Sequence, residues 1–118
     1  MRYLHANING IHAKSDELHV ILEAEAPTII TLNETKLSQE SELATGLETE
    51  NLKYLSNFHI FPEPHPDPSN PPFLGSSIYS SLDASKIEFS RPFNDLEIIT
   101  AKYQTEEGQN IYHIHGYL

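Results

Sequence analysis

The sequence predicts an α/β fold, because a strand, a helix and a second strand follow one another at its start. Residues 2–9 alternate polar and apolar side chains, the pattern of a strand with one buried face. Leu18, Ile21 and Leu22 are spaced to form one apolar helix face. Residues 28–33, TIITLN, form a β-branched and mostly apolar run that is typical of a strand covered on both faces.

The signals at the ends of the predicted helix agree with this order. Asn9-Gly10 predicts a turn after the first strand, and Ser15 is predicted to cap the helix that follows. Pro27 ends the helix because proline lacks the amide hydrogen that a helix interior needs. Strand, helix and strand then form a βαβ unit with parallel strands, so that both strands end at the same edge of one sheet.

The remaining residues predict more strands and one long surface loop. Residues 38–50 are polar and favour a short helix and a loop, whereas 52–61 favours a strand. Residues 61–73 contain six of the eight prolines and predict an extended, polyproline-like loop, since proline cannot occupy a central strand. We interpret this loop as a tolerated insertion, with partner docking as the alternative. Further strands are predicted at 76–81, 96–103 and 110–117, with a turn at 106–108.

The composition predicts an acidic and incomplete domain. The 118 residues include 7 basic and 17 acidic side chains, with a net charge of −10 and an apolar content below that of typical domains. The basic residues are scattered, so we expect weak affinity for nucleic acid from this segment alone. The absence of cysteine excludes disulfides and thiolate metal sites, and no apolar run is long enough to span a bilayer. We therefore expect an intracellular protein, nuclear or cytoplasmic, with no membrane partner.

Asn7, Asn9 and Glu34 are the candidate functional residues. Asn7 and Asn9 stand at the end of the first predicted strand, and Glu34 stands just past the end of the second. Because ligands of open α/β sheets bind outside the carboxyl ends of the strands, we expect these side chains to share one site. Carboxylate and amide oxygens suit a hard cation such as Mg²⁺. Each residue alone is better explained as a turn or solvated loop residue, and only their convergence predicts function.

Residues 4–37 resemble the start of the endonuclease/exonuclease/phosphatase family. Asn-Ile-Asn-Gly at 7–10, an amphipathic helix, and Pro-Thr-Ile-Ile-Thr-Leu-Asn-Glu-Thr-Lys-Leu at 27–37 are similar to the apurinic-endonuclease-like domain of non-LTR retrotransposons. Gly-Ser-Ser-Ile-Tyr at 75–79 and the final His-Gly-Tyr-Leu are looser matches. The resemblance implies that residues 1–118 are the N-terminal half of a two-sheet, DNase I-like α/β sandwich. It also implies a Mg²⁺-dependent, DNA-nicking endonuclease that normally precedes a reverse transcriptase in a retroelement polyprotein.

The resemblance implies a role for each candidate residue. Glu34 would be the carboxylate ligand of Mg²⁺, with Mn²⁺ as a substitute. Asn7 would position the metal and the attacked phosphate, and Asn9 would occupy a second metal-side position where many relatives carry an acid. Tyr117 would hydrogen-bond the scissile phosphate. Asn7 and Tyr117 are thus the candidate catalytic residues, and Glu34, Asn7 and Asn9 are the candidate metal ligands.

The sequence also departs from the family pattern. The family's Asp-Asn pair and its closing Ser-Asp-His segment fall beyond the position of Tyr117, so we expect this chain alone to be inactive. The family's Gly-Gly pair reads Gly75-Ser76, and Ala6 stands where many relatives have Trp.

Other functions stay open at this point. The alternative is a truncated, non-catalytic remnant or a protein-interaction fragment of the same domain. A phosphatase relative is less favoured, because no basic phosphate-binding pocket is visible. His113 and His115 share one face of a predicted strand, but without a third ligand at motif spacing they give only a weak zinc signal.

Overall fold

Nine strands and one α-helix make up the described part of the chain. The computed structural model describes the backbone of residues 1–117 and the side chains of residues 1–116. In chain order the elements are β1 Tyr3–Asn7, α1 Ser15–Glu25, β2 Ile29–Asn33, a 3₁₀ turn at Glu42–Ala44, β3 Leu47–Glu48, β4 Lys53–Tyr54, β5 Ser56–Ile60, β6 Ser76–Ser80, β7 Ile87–Ser90, β8 Glu97–Gln104 and β9 Asn110–Tyr117. No helix in the described residues is long and apolar enough to cross a bilayer.

The strands form one mixed sheet, one antiparallel sheet and a short two-stranded ribbon. The mixed sheet has the order β1-β2-β6-β5, in which β1 and β2 are parallel, as predicted, and the other pairs are antiparallel. The second sheet has the order β7-β8-β9 and is antiparallel throughout. β3 and β4 form the ribbon. The fold is therefore α/β, with one mixed sheet, one antiparallel sheet and little helix.

The helix covers one face of the mixed sheet. Leu18 and Leu22 of α1 lie in one buried cluster with Ile30 and Leu32 of β2. Burying each such side chain stabilises the fold by roughly 1.5–3 kcal/mol. Tyr54 also lies in this cluster, and its hydroxyl donates a 2.7 Å hydrogen bond to the carbonyl of Pro27. The packing of α1 on the sheet fixes the position of β2, and hence the position of the residues that follow β2.

The opposite face of the mixed sheet packs against the antiparallel sheet. Ile29 and Ile78 belong to one buried cluster with Ile99, Ala101 and Tyr103 of β8. The alternation along β8 explains this contact, because every second residue of the strand is buried, beginning with Glu97. All five residues of β2 are buried, as predicted for a strand covered on both faces.

The helix differs from its prediction at two positions. Ser15 is the first helical residue and not the cap; Lys14 occupies the cap position, and the Ser15 hydroxyl donates to the carbonyl of His12. Ile21 is 43% exposed, so the buried stripe consists of Leu18 and Leu22 only. A spacing of four residues already aligns these two leucines with the sheet, and Ile21 falls at the margin of the contact.

Two further predictions along the chain need correction, and one strand was not predicted. The strand predicted at 52–61 is divided at the exposed Leu55 into β4 and β5, which belong to different sheets. The helix predicted within 38–50 is a single 3₁₀ turn of three residues, followed by β3. The short strand β7, Ile87–Ser90, was not predicted, because four residues carry too little alternation to identify a strand.

The proline-rich segment 61–73 is a largely exposed loop whose two ends are hydrogen-bonded to each other. The amide of Phe73 donates a 2.9 Å hydrogen bond to the carbonyl of Glu63, and Phe73 is buried. The Arg91 guanidinium lies 5.0 Å from the centre of the Phe73 ring, and His65 Nε2 donates to the carbonyl of Asp95. The loop is thereby attached to the segment that precedes β8.

Candidate functional site

The carboxyl ends of β1 and β2 meet at one edge of the mixed sheet. Asn7 is paired with Asn33 in the parallel register. The contact continues past both strands, since the amide of Ile8 donates to Asn33 O at 3.0 Å and that of Gly10 to Glu34 O at 2.7 Å. The two segments that carry Asn7, Asn9 and Glu34 are thus hydrogen-bonded to each other. We call this region, residues 7–10 and 33–36, the strand-end site.

The strand-end site contains three non-glycine residues with left-handed backbone conformation. Asn9, Glu34 and Lys36 have φ angles of 47°, 53° and 50°. This region of conformational space is unfavourable for residues with a Cβ atom, and such residues cluster at functional sites when the surroundings enforce them. The segment before β6 holds the two residues after Glu34: Thr35 N donates to Gly75 O at 3.2 Å, and Lys36 N donates to Leu74 O at 3.0 Å.

Asn7 and Glu34 are accessible to solvent. Asn7 is exposed and Glu34 is half-buried. A carboxylate in this position keeps part of its hydration and can bind a ligand from solution without unfolding the edge. The strand-end site can therefore be reached from solvent.

Asn9 has a different environment from Asn7. Its Oδ1 atom accepts a 2.8 Å hydrogen bond from the Nζ of Lys36, and the Nζ of Lys14 donates to the carbonyl of Ile8 at 3.1 Å. Two of the seven basic side chains thus lie against the turn at 8–10. An amide oxygen bound to an ammonium group is a poor ligand for a second cation, because the two positive charges repel. The geometry favours Asn9 as the residue that orients Lys36.

Two buried oxygen atoms flank Glu34 in the sequence. Asn33 and Thr35 are buried, and within the described residues neither Asn33 Oδ1 nor Thr35 Oγ1 has a hydrogen-bond partner. A buried acceptor without a donor costs roughly 1–3 kcal/mol, so a bound ligand that brought a donor or a positive charge to either atom would remove this cost.

Gly75 lets the strand before β6 approach the strand-end site closely. Its φ angle is +95°, and a Cβ atom at this position would lie 2.7 Å from Thr35 Oγ1. Ser76 follows it as a fully buried residue of β6, paired with Asn33. The close approach to Thr35 therefore requires glycine at position 75 only. Position 76 accepts serine, because Ser76 is an ordinary buried residue of β6.

Tyr117 reaches the same end of the molecule through its backbone. It is the last residue of β9 and is paired with Glu97, the first residue of β8. Its side chain lies outside the described residues, so its predicted contact with a phosphate stays a prediction.

The histidines of β9 have partners in β1 and β2. His113 stacks on Tyr3 with ring centres 5.4 Å apart, and His115 packs edge-on against His5 at 5.4 Å. His115 Nε2 donates to the carbonyl of Leu32, and burial lowers the pKa of His115 to about 4. Burial also lowers the pKa of His113 below its usual value, and the nearby His5 lowers it further. These contacts give both rings a packing role between the sheets.

The oxygen donors of the strand-end site fit a Mg²⁺ ion that retains much of its hydration shell. No three His, Cys, Asp or Glu side chains in the described part of the chain are grouped to hold a metal. Mg²⁺ commonly binds through one or two carboxylates together with waters and substrate phosphate. Glu34 would supply the carboxylate, and Asn7 and Asn33 would supply neutral oxygens. Mn²⁺ accepts the same kinds of donor.

Two further residues of this region, Lys36 and Glu97, have recognisable signals in the sequence. Lys36 is the polar residue at the end of the LNETK run, where a strand edge meets solvent. Glu97 occupies an inward position in the alternation of β8 and is 5% exposed, and a charged residue at such a position signals a specific partner. That partner is the main chain at Gly75, whose amide donates to Glu97 Oε1 at 2.7 Å.

Comparison with known proteins identifies a structural relative. No family model and no curated protein matches the sequence. Among solved structures, the chain is similar to the AP endonuclease LMAP from Leishmania major, with a TM-score of 0.59 and 16% identity. The match covers 98% of this chain and 39% of that one, so the chain spans about two fifths of the length of its relative. At this identity the likeness shows a shared fold.

Proposed function

We propose that this chain is the metal-binding part of a Mg²⁺-dependent phosphodiesterase domain of the endonuclease/exonuclease/phosphatase family. The DNA-nicking endonuclease of a retroelement is the member that the sequence favours. The observation that carries the proposal is the strand-end site, where Asn7 and Glu34 converge at one sheet edge. The fold shared with an AP endonuclease supports it. In this proposal residues 1–118 form the N-terminal half of a DNase I-like two-sheet sandwich.

Each residue of the strand-end site has a defined task in this proposal. Glu34 binds the cation through its carboxylate, and Asn7 orients the cation and the scissile phosphate through its side-chain amide. When bound, Mg²⁺ polarises a phosphoryl oxygen and stabilises the developing negative charge. Lys36, held by Asn9, adds a positive charge beside the phosphate. Tyr117, at the end of β9, donates a hydrogen bond to the same phosphate.

Cation binding is the activity that this chain can be tested for directly. Titration with Mn²⁺, followed by water-proton relaxation, is expected to show one weak site that Mg²⁺ displaces. Glu34→Gln removes the charge at constant size and is expected to weaken Mn²⁺ binding about tenfold or more. Glu106→Gln removes an exposed carboxylate from the β8–β9 turn and is the matched control. Equal loss in the two variants would mean diffuse attraction to an acidic surface and would contradict the proposal.

A non-catalytic interaction fragment is the second candidate function. The outer side of β9 favours it, because Tyr112 is 66% exposed and Ile114 is 72% exposed on adjacent positions of one strand face. Plasmid nicking separates the two candidates. Nicking that requires Mg²⁺, stops with EDTA and disappears in Glu34→Gln would contradict a purely non-catalytic role.

A further inference from the structure

Glu97 is the one charged side chain among the buried residues that the structure describes. It is 5% exposed and lies between the two sheets at the first position of β8. Burying a carboxylate is costly unless hydrogen bonds compensate for its lost hydration. In the described part of the chain no lysine or arginine lies within salt-bridge distance of it. The lost hydration of the Glu97 carboxylate is therefore compensated by hydrogen bonds from neutral donors.

Those donors belong to the segment 74–76. Gly75 N donates to Glu97 Oε1 at 2.7 Å, which is the shortest of the contacts. Leu74 N donates to Oε2 and the Ser76 hydroxyl donates to Oε1, both at 3.4 Å. Hydrogen bonds to an ionised acceptor are stronger than those between neutral groups. The carboxylate thus fixes the main chain just before β6.

A single peptide group connects Glu97 to the strand-end site. In the peptide between Leu74 and Gly75, the N–H donates a hydrogen bond to the Glu97 carboxylate. The carbonyl of the same peptide accepts a 3.0 Å hydrogen bond from the amide of Lys36. Hydrogen bonds in such a chain polarise one another, so the negative charge on one side strengthens the acceptor on the other. The next carbonyl, Gly75 O, accepts from Thr35 N at 3.2 Å. Both residues after Glu34 are therefore held by the segment that Glu97 fixes.

We propose that Glu97 is a positioning residue for the strand-end site. Through the Leu74–Gly75 peptide it holds Thr35 and Lys36, and so maintains the left-handed conformations of Glu34 and Lys36. This inference rests on the proposed function for its chemical purpose, since a fixed Glu34 is what cation binding requires. The antiparallel sheet thereby shapes a site that lies at the edge of the mixed sheet.

The test uses the isosteric variant Glu97→Gln, compared with Tyr103→Phe. Tyr103 lies on the same face of the same strand, at its far end, where its hydroxyl is hydrogen-bonded to that of Tyr3. Both variants weaken the contact between the sheets, but only Glu97→Gln alters the Leu74–Gly75 peptide. Amide hydrogen exchange is measured by NMR at Lys36 and at Ile78, in the centre of the mixed sheet.

In Glu97→Gln, exchange at Lys36 is expected to accelerate about tenfold or more relative to Ile78, and Mn²⁺ binding is expected to weaken severalfold. In Tyr103→Phe, the ratio of the two exchange rates and the Mn²⁺ affinity are expected to stay at their unaltered values. A Glu97→Gln variant in which all protected amides accelerate by the same factor would overturn the proposal and leave Glu97 with a general packing role.

Two further readouts keep the inference separate from the proposed function. If the unaltered chain takes up no Mn²⁺ at Glu34 while Glu97→Gln still accelerates exchange at Lys36, the proposed function fails and the positioning role stands.

If Glu97→Gln does not fold, the unaltered chain is measured instead. Scalar couplings across the hydrogen bonds from Gly75 N to the Glu97 carboxyl and from Lys36 N to the Leu74 carbonyl are expected. Absence of either coupling would overturn the proposal.

Discussion

The layer between the two sheets has two ends that are held in different ways. At the ring end, defined by Tyr3, Tyr103 and His113, aromatic side chains stack and the two tyrosine hydroxyls are hydrogen-bonded. At the polar end, defined by Glu97 and the strand-end site, a carboxylate and main-chain groups make the contacts. Ring packing tolerates small shifts, whereas a chain of hydrogen bonds fixes atoms at defined distances. The polar end is thus the one suited to hold a ligand.

The largest effect is expected for Gly75→Ala, at the polar end. The added Cβ would lie 2.7 Å from Thr35 Oγ1 in a left-handed conformation, so crowding and backbone strain add together. We expect the free energy of unfolding, measured by urea denaturation, to fall by about 2–5 kcal/mol.

Gly108→Ala is the matched control for this change. Gly108 has a similar φ of +84°, but in the described part of the chain no atom other than those of its sequence neighbours lies within 4 Å of its Cβ position. The backbone strain alone should lower the free energy of unfolding by about 1–2 kcal/mol. Equal losses in the two variants would show that the close approach of Gly75 to Thr35 is not essential.

The second-largest effect is a loss of stability at acidic pH, caused by His115, which lies next to the ring end. Burial lowers the pKa of His115 to about 4, below the ordinary value of about 6.5 in the unfolded chain. Between these values the unfolded chain binds more protons, so stability is complete above about pH 6.5 and falls as the pH drops toward 4. We expect His115 to account for about 2–3 kcal/mol of that loss.

The contribution of His115 can be separated from that of other histidines. Burial also lowers the pKa of His59 to about 4, so the unaltered chain loses stability through both groups. His115→Gln is expected to flatten the dependence of the free energy of unfolding on pH between 4 and 6.5, while His12→Gln, at an exposed position, should leave it unchanged. A pH dependence that is identical in the two variants would rule out a buried neutral His115.

A smaller loss is expected from Tyr103→Phe, which removes one hydrogen bond at the ring end. The stacked rings remain, so the free energy of unfolding should fall by about 1 kcal/mol. Tyr112→Phe, on the exposed face of β9, should have almost no effect. If Tyr103→Phe destabilised the chain as much as Gly75→Ala, the contrast between the two ends would be lost.

The smallest effect on stability is expected at Lys36, which is exposed. Lys36→Met removes its hydrogen bond to Asn9 and should change the free energy of unfolding by less than about 1 kcal/mol. It also removes a positive charge from the strand-end site, so Mn²⁺ affinity should rise severalfold. Lys53→Met, on β4, is the control for net charge. A fall in Mn²⁺ affinity in Lys36→Met would place the cation elsewhere.

Local patterns were sufficient to predict the edge where β1 and β2 end. Alternation in β1 places the partly buried Leu4 and Ala6 on one face, the apolar run of β2 is buried throughout, and a helix between two strands makes them parallel. The sequence therefore predicted correctly that the main-chain segments carrying Asn7 and Glu34 lie side by side, whereas their shared site stays a prediction. It also predicted the β8–β9 hairpin, whose turn closes with a 2.9 Å hydrogen bond from Gly108 N to Thr105 O.

The conformation of the strand-end site could not be predicted in the same way. The left-handed backbone of Glu34 and Lys36 depends on Leu74 and Gly75, and these depend in turn on Glu97. Such long-range contacts leave no periodic signal near Glu34. The division of the predicted strand at Leu55 has a similar origin, because β4 and β5 pair with different partners. Local propensity cannot predict a backbone conformation that is determined by contacts with a distant segment.

The most direct test of the account locates the cation residue by residue. Substoichiometric Mn²⁺ is added to the ¹⁵N-labelled chain, and the paramagnetic broadening of each amide signal is measured. We expect the strongest broadening at Asn7, Gly10 and Glu34, with little at the acidic turn at 106–108, and we expect Glu34→Gln to abolish it. Broadening that is strongest at 106–108, or that persists in Glu34→Gln, would contradict a cation site at the ends of β1 and β2.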